Sequence, residues 1–222
     1  MGATTITLSV QLGSGGHAIA RRLADHLGFR YYDWEVTSQA AEEAGVSPEV
    51  VASAERVPSL AERIMERFFN AGFYAGDIPE AVVPTSTTMD TAIQTLNSAN
   101  YREMISQVVR DLASRGSCVI VGHNGQITLR DDPTTLKVLI HGSVEHRINR
   151  LAIDEGLTAA DATEAVKQSD QDRQSFFKHF HKINWLDASN YDLTLNTDTL
   201  TDEQVITIIA GAAQSLVVPV RV

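Results

Sequence analysis

The chain has 222 residues, with 28 acidic side chains against 18 lysines and arginines, and its formal net charge is −10 at pH 7. A composition of 43% hydrophobic and 21% charged residues is that of a folded globular protein, which excludes wholesale disorder. The acidic balance disfavours nonspecific binding to nucleic acid or to an anionic membrane. Cys118 is the single cysteine, so an internal disulfide framework and a cysteine-based zinc site are also excluded.

The sequence shows no targeting or membrane signal. No apolar run approaches the roughly 18 residues of a membrane span, and the first residues lack the basic region of a signal peptide. We therefore expect a cytoplasmic protein with neither nucleic acid nor membrane among its partners. A homodimer is left open, as is an interaction surface formed by the segment around 45–100.

The first predicted elements are a strand, a turn and a helix. Residues 4–10 form a short β-branched run typical of a buried strand. A glycine cluster at 13–16 follows, and then apolar residues repeat at helical spacing over 19–27 before Gly28, a typical helix C-cap. Residues 29–33 indicate a second strand. This order predicts a βαβ unit and therefore a parallel sheet.

The rest of the chain continues the alternation of helices and strands. Residues 34–115 are predicted to be mostly helical, and the weakly patterned segment 72–99 within them indicates a mobile or ligand-binding loop. Residues 143–185 are polar and helical. Three further strands and a closing helix are predicted at 117–121, 136–140, 191–195 and 203–216. The fold class is α/β, with five parallel strands, helices on both faces, and ligands at the carboxyl ends of the strands.

The glycine turn is the clearest functional motif. Gly13, Ser14, Gly15 and Gly16 join the first strand to the first helix, where backbone N–H groups can converge on a phosphate. The alternative is a tight turn chosen only for its backbone angles. The turn lacks the working side chains of the pattern G-x-x-x-x-G-K-[ST], because Gly16 stands at the lysine position and His17 at the hydroxyl position.

Arg21 lies four residues after His17 on the same helical face. Since side chains lean toward the N-terminus of a helix, the Arg21 guanidinium can reach back toward a bound phosphate. In the alternative, Arg21 pairs with Asp25 one turn later. The sequence leaves both readings open.

The run from Gly13 to Asp33 resembles the opening of cytidylate kinases, and more closely that of the cytidylate kinase-like family, in which glycine replaces the P-loop lysine. Segments in the same order along both chains add to the resemblance at 118–125, 170–177 and 191–197. It extends from about residue 5 to residue 210 and is weakest over 45–100.

This resemblance implies a P-loop fold related to nucleoside monophosphate kinases. The donor would be ATP with Mg²⁺, and the acceptor a nucleoside monophosphate, by default CMP or dCMP, or a related small molecule. It implies one kinase-like domain over 1–222, whose parts would be a core (1–34, 100–142, 186–217), an acceptor-binding insertion (about 35–99) and a lid (about 143–185).

The matching positions suggest a role for individual side chains. Residues expected to bind the donor nucleotide are Gly13, Ser14, Gly15, Gly16, His17 and Arg21. Residues expected to bind the acceptor are Asp33, His123 and Arg150. Residues expected to act in catalysis are Arg147, Asp172 and Arg173. No residue is predicted to ligate a metal directly. For each candidate the alternative is structural, such as local pairing of Arg173 with Asp170 and Asp172.

Two departures from the family pattern bear on catalysis. His17 and His123 each stand where the family has arginine, so two fixed charges become titratable groups with an ordinary pKa of about 6.5. Loss of a cationic clamp costs phosphoryl transfer orders of magnitude in rate. The sequence therefore predicts a phosphotransferase, with a catalytically impaired, nucleotide-binding pseudokinase as the alternative.

Overall fold

A computed structural model describes residues 2–44, 48 and 102–216. All strands in this part of the chain join one parallel sheet of five strands in the order β2-β3-β1-β4-β5. Their bounds are β1 Thr5–Val10, β2 Arg30–Tyr32, β3 Cys118–Val121, β4 Thr135–His141 and β5 Leu193–Asn196. The predicted sheet is confirmed, and each strand falls within two residues of its predicted start.

The helices are numbered here in chain order among the described residues. They are α1 Gly16–Leu27, α2 Trp34–Ala44, α3 over residues 102–114, α4 Gly125–Thr128, α5 Val144–Glu155, α6 Ala159–Phe176 and α7 Asp202–Ser215. A π-helical turn, Phe177–His181, extends α6, and a short 3₁₀ helix covers Ala188–Asn190. Gly28 ends α1 in the left-handed conformation, as predicted, and its N–H bonds to the carbonyls of Ala24 and Asp25.

Strand β1 is central and buried on both faces, because its alternate side chains pack against helices on opposite faces of the sheet. Ile6, Leu8 and Val10 point into the main apolar core, which α1 and α7 supply with Ile19, Leu23, Val205 and Ile209. On the other face, the Thr5 hydroxyl donates to the carbonyl of Ala113 in α3 at 3.4 Å. Helices therefore cover both faces of the sheet, as the sequence predicts.

The chain divides into two compact units, Met1–Val36 with Ser106–Val222, and Thr37–Ile105. The segment expected to form a lid, 143–185, belongs to the first unit. Most of the expected acceptor-binding insertion falls in the second unit. The loop expected at 72–99 lies outside the described residues, and the three-part division of the domain stays a prediction.

Because all five strands are parallel, their carboxyl ends lie along one edge of the sheet. The segments leaving these ends carry the glycine turn after β1, Asp33 after β2 and His123 after β3. The segments after β4 and β5 lead to Arg147 and Asp202. Among the helices within 2–44 and 102–216, none has the length and apolar content needed to cross a membrane.

Candidate functional site

The glycine turn opens directly onto the N-terminus of α1. Gly13 and Gly15 have φ values of +80° and +76°, a left-handed conformation that suits glycine. Gly15 is the N-cap of this 12-residue helix and gives it no side-chain cap. The first N–H groups of a helix lack intrahelical partners, and together with the helix dipole they form a ready site for an anion.

Close packing explains why the turn consists of residues without side chains. A Cβ at Gly16 would overlap the Val10 side chain, and one at Gly13 would overlap the carbonyl oxygen of Arg147. The lysine position of the P-loop pattern therefore has no room for a side chain in this backbone. The Ser14 hydroxyl in the same turn is buried and has no hydrogen-bond partner among the described residues.

Arg150, on α5, brings a fixed positive charge to the turn. Its guanidinium lies so close to Gly15 that a Cβ there would overlap it. Its Nη1 and Nη2 donate to the two carboxylate oxygens of Asp202 at 2.9 and 2.8 Å, and Nε donates to Asp154 at 3.4 Å. Hydrogen bonding to Asp202 raises the pKa of Arg150 above its already high value, although partial burial acts in the opposite direction.

A cavity of about 520 Å³ lies beside Arg150, between α5 and the segment that follows β5. Ile153 and Leu200 contribute apolar surface, and the remaining lining is mostly polar. One wall is fixed by the Ser143 N–H, which donates to the Asp198 carboxylate at 2.8 Å. A cavity that is partly apolar and is lined by the arginine that contacts Gly15 has the mixed character of a small-molecule site.

Arg147 has a different environment although it lies only one helical turn before Arg150. Its side chain is 1% exposed, and its Nε and Nη1 donate to the carbonyls of Gly142 and Leu12 at 3.1 and 3.2 Å. Nη1 and Nη2 also donate to the Asp170 carboxylate at 3.1 and 2.6 Å. These contacts join the segment before the glycine turn to α5 and α6. The catalytic role of Arg147 stays a prediction, whereas its positioning contacts are observed.

Asp33 is the centre of a second cluster, which also contains His17, Tyr31 and His123. The distance from the Asp33 carboxylate to His17 Nδ1 is 3.0 Å, and the Tyr31 hydroxyl donates to the same oxygen at 2.9 Å. His123 Nε2 lies 2.9 Å from the Asp33 backbone carbonyl oxygen. Three residues that the sequence picked out separately, His17, Asp33 and His123, are therefore brought together.

The ionisation of this cluster is set by competing effects. Burial favours the neutral form of Asp33, but the hydrogen bond and charge of His17, with help from Tyr31 and His123, hold its pKa below the usual value. Burial and the Asp33 carboxylate raise the pKa of Tyr31 to about 12. Asp33 is thus an anion and Tyr31 a neutral hydrogen-bond donor at neutral pH.

Arg21 belongs to the edge of this cluster. Its guanidinium carbon lies 4.6 Å from the centre of the Tyr31 ring, a cation–π contact, and its charge acts to lower the pKa of Tyr31. In the structure Arg21 therefore contacts Tyr31, whereas the sequence had suggested either a bound phosphate or Asp25 as its partner. Binding of Arg21 to a donor phosphate stays a prediction.

The backbone that carries His123 is unusual. Gly122, His123 and Asn124 are consecutive left-handed residues with φ values of +76°, +50° and +53°. Residues other than glycine adopt this conformation only where surrounding contacts enforce it, often at functional sites. Here the contact between His123 and Asp33 ties the end of β3 to the end of β2.

The remaining two candidates lie on α6. The Asp172 carboxylate accepts from Gln168 Nε2 at 2.8 Å on the same helix, and the Arg173 guanidinium carbon lies 5.5 Å from the centre of the Trp185 ring. Asp170, and not Asp172, contacts the buried Arg147. The catalytic roles predicted for Asp172 and Arg173 stay predictions.

Sequence reasoning missed several residues of the site. Tyr31 carried a usable signal, because it stands two positions before Asp33 and so shares its direction in an extended chain. The pairing of Asp202 with Arg150, 52 positions away, had no local signal. Val10 was identified as part of a buried strand but not as the neighbour of Gly16.

A central parallel strand, a glycine turn and a following helix whose N-terminus faces the carboxyl edge of the sheet define a nucleotide-binding fold of the P-loop kinase class. Residues 5–199 match the model of the cytidylate kinase-like family. The chain belongs to that family, and the resemblance noted from its motifs is confirmed.

Individual relatives agree with this assignment. The chain is 23% identical over 215 residues to a cytidylate kinase of Methanopyrus kandleri, covering 96% of this chain and 95% of the relative. It is 35% identical over 81 residues to a cytidylate kinase of Methanocorpusculum labreanum, covering 36% of this chain and 46% of the relative. A solved structure of an uncharacterized protein from Eubacterium ventriosum has a TM-score of 0.65 at 17% identity, covering 95% of this chain and 98% of that one, which shows a shared fold.

The Arg147–Asp170 pair gives a first prediction. We expect Asp170→Asn to lower the free energy of unfolding by about 1.5–3 kcal/mol, because a buried guanidinium loses a charged acceptor. Asp172→Asn is the matched control on the same helix, since its carboxylate contacts only Gln168 within the described residues, and its effect should stay within about 0.5 kcal/mol. Urea unfolding of both variants is the measurement. Equal effects would contradict the assignment.

The Asp33 cluster gives a second prediction, on pH dependence. The folded pKa of Asp33 is below its unfolded value of about 3.9, so its contribution to stability is complete above that value and is lost as the pH falls through the folded pKa. Asp33→Asn should therefore cost stability at pH 7, and the deficit should shrink as the pH falls through the folded pKa of Asp33. We expect less than about 1 kcal/mol, because the side chain is 34% exposed and water screens it. A deficit that persists unchanged at low pH, in unfolding measured from pH 2 to 8, would contradict the ionised state.

Proposed function

We propose that the protein is a phosphotransferase that moves the γ-phosphoryl group of ATP to a small acceptor, with CMP or dCMP as the first acceptors to test. The observation that carries the proposal is the uncapped N-terminus of α1 at the glycine turn, with the Arg150 guanidinium against Gly15. Family membership supports the reaction class. The family's relatives described above include two proteins named cytidylate kinase, which supports the choice of acceptor.

The residues at the turn fit a donor triphosphate. Backbone N–H groups at the start of α1 can donate to phosphate oxygens, and Ser14 adds a buried hydroxyl without a partner among the described residues. The cavity of about 520 Å³ beside Arg150 can hold the nucleoside. A nucleotide with its phosphates at the turn and beside Arg150 would have its nucleoside next to the cavity.

Mg²⁺ would enter with the nucleotide. No group of three or more acidic, histidine or cysteine side chains suited to a metal occurs among residues 2–44, 48 and 102–216. Mg²⁺ does not require such a cage, because it keeps several waters and is held by phosphates with one or two carboxylates. Asp33 is the carboxylate that contacts His17 in the first turn of α1, so it fits this need. When bound, the ion neutralises charge on the transferred phosphoryl group.

The Asp33 cluster suits an acceptor that brings both a hydrogen-bond donor and an anion. The ionised Asp33 can accept a hydrogen bond from an amino or hydroxyl group of the acceptor. His17 and His123 stand where the family has arginines, and both contact Asp33, so they lie beside any acceptor that hydrogen-bonds to this residue.

The site also supports a second candidate function, a nucleotide-binding pseudokinase. Gly16 has no room for a side chain, and His17 is engaged with Asp33, so neither position supplies the ammonium or hydroxyl group of a complete P-loop. A protein of this kind would bind the nucleotide at the same turn and transfer nothing.

One experiment separates the two candidates. ADP release is coupled to a spectroscopic readout with CMP, dCMP, UMP, AMP and further small acceptors, and thermal unfolding is followed with and without nucleotide. A kinase should release ADP only with an acceptor, above the rate of Gly15→Asp, in which the Cβ would overlap the Arg150 guanidinium and the added negative charge would repel phosphate. A pseudokinase should show stabilisation alone, about 2.7 kcal/mol at a nucleotide concentration of 100 times Kd. Absence of both turnover and stabilisation would contradict the proposed function.

A further inference from the structure

We propose that Arg150 supplies, from α5, the positive charge at the donor phosphates that a lysine supplies in a complete P-loop. The inference rests on the proposed nucleotide-binding function and assigns Arg150 to the donor, whereas the sequence had suggested the acceptor. Asp202 acts as the positioning residue that holds the guanidinium over the turn.

The first step is that the turn cannot carry the charge itself. A Cβ at Gly16 would overlap the Val10 side chain, which is 1% exposed in the core, so this backbone has no room for a lysine there. Phosphoryl transfer nonetheless depends on cations that neutralise the charge developing on the phosphates. The charge must therefore come from another element.

The second step is that neighbouring arginines are committed elsewhere. Arg147 is 1% exposed and donates to two backbone carbonyls and to Asp170. Arg21 lies over the Tyr31 ring, and Arg22 pairs with Glu203. Arg150 differs from these because its guanidinium meets the turn itself, against Gly15.

The third step is that Arg150 keeps the capacity to bind a phosphate. Its three hydrogen bonds to Asp202 and Asp154 use one hydrogen on each guanidinium nitrogen, and the guanidinium has five N–H donors in total. The side chain is 22% exposed, so the group is neither sealed in the core nor free to swing in solvent. The bidentate pairing with Asp202 fixes the plane of the guanidinium, which lowers the entropy lost when a ligand binds.

The absence of a side chain at position 15 is part of the same arrangement. Gly15 adopts φ +76° and leaves the volume that the guanidinium occupies. The turn thus provides backbone N–H groups and a place for a charge that is carried by a helix over 130 residues away in the sequence. The proposed site for the donor phosphates then consists of Val10, Gly15, Gly16, Arg150 and Asp202.

The test measures ATP binding by calorimetry, with Mg²⁺ and without an acceptor. Because Arg150→Gln alone would leave the Asp202 carboxylate without its partner, the comparison is between Asp202→Asn and the double variant Arg150→Gln/Asp202→Asn. We expect the double variant to bind ATP about 10- to 100-fold more weakly, the usual effect of losing a hydrogen bond between charged groups. In the same Asp202→Asn background, Arg150→Lys should recover part of this loss, because lysine keeps the positive charge but lacks the paired donors of the guanidinium.

Arg22→Gln is the matched control. Arg22 pairs with Glu203, the residue after Asp202 in the first turn of α7, so this variant removes a similar ion pair that does not meet the turn. Its ATP affinity should stay within about twofold of the wild-type value, because exposed ion pairs contribute little. Thermal unfolding without ligand verifies that each variant is folded.

The outcomes separate this inference from the function on which it rests. Equal ATP affinity of Asp202→Asn and the double variant would overturn the role of Arg150 and leave nucleotide binding intact. Weaker binding of CMP with unchanged binding of ATP would also overturn it, because Arg150 would then serve the acceptor. A wild-type protein that takes up no ATP would overturn both.

Discussion

The constraint on which the site depends is the close approach of one backbone segment to its neighbours. The glycine turn passes between the Val10 side chain, the Arg147 carbonyl and the Arg150 guanidinium, and each contact occupies the place where a Cβ would be. The N-terminus of α1 can therefore face the carboxyl edge of the sheet. The same closeness removes the position from which a P-loop lysine would extend.

Two arginines of α5 contact the glycine turn and the residue before it, and they have different roles. Arg147 is buried and links Leu12, Gly142 and Asp170 through charged hydrogen bonds, so it fixes the path of the chain into the turn. Arg150 is held by Asp202 and presents its charge to the turn. Segments that are distant in sequence thus become one rigid support, which matters because phosphoryl transfer relies on positioning and electrostatics.

The sequence was sufficient for the fold because the fold follows from local patterns. Buried β-branched runs, Gly28 at the end of α1 and apolar residues at helical spacing predicted the strands and helices. The glycine turn Gly13–Gly16 was a candidate because it joins a strand to a helix, whereas Asp33 and His123 became candidates only through the resemblance to the family. The sequence could not predict that Asp170 pairs with Arg147 or Asp202 with Arg150, since a carboxylate on a helix surface carries no mark of a distant partner. The cation–π contact of Arg21 with Tyr31 depends in the same way on how α1 lies against β2.

The central claim is that backbone N–H groups at the start of α1 bind phosphate, and amide NMR tests this claim most directly. In a titration of ¹⁵N-labelled protein with ADP, the amide protons of Gly15, Gly16 and His17 should move downfield together and saturate at one affinity. An amide that donates to a charged oxygen is deshielded in this way. The Ser14 amide already donates to the Gln11 carbonyl at 3.0 Å, so it is not one of these probes. If the three resonances stay in place while nucleotide binds elsewhere or not at all, the account is contradicted.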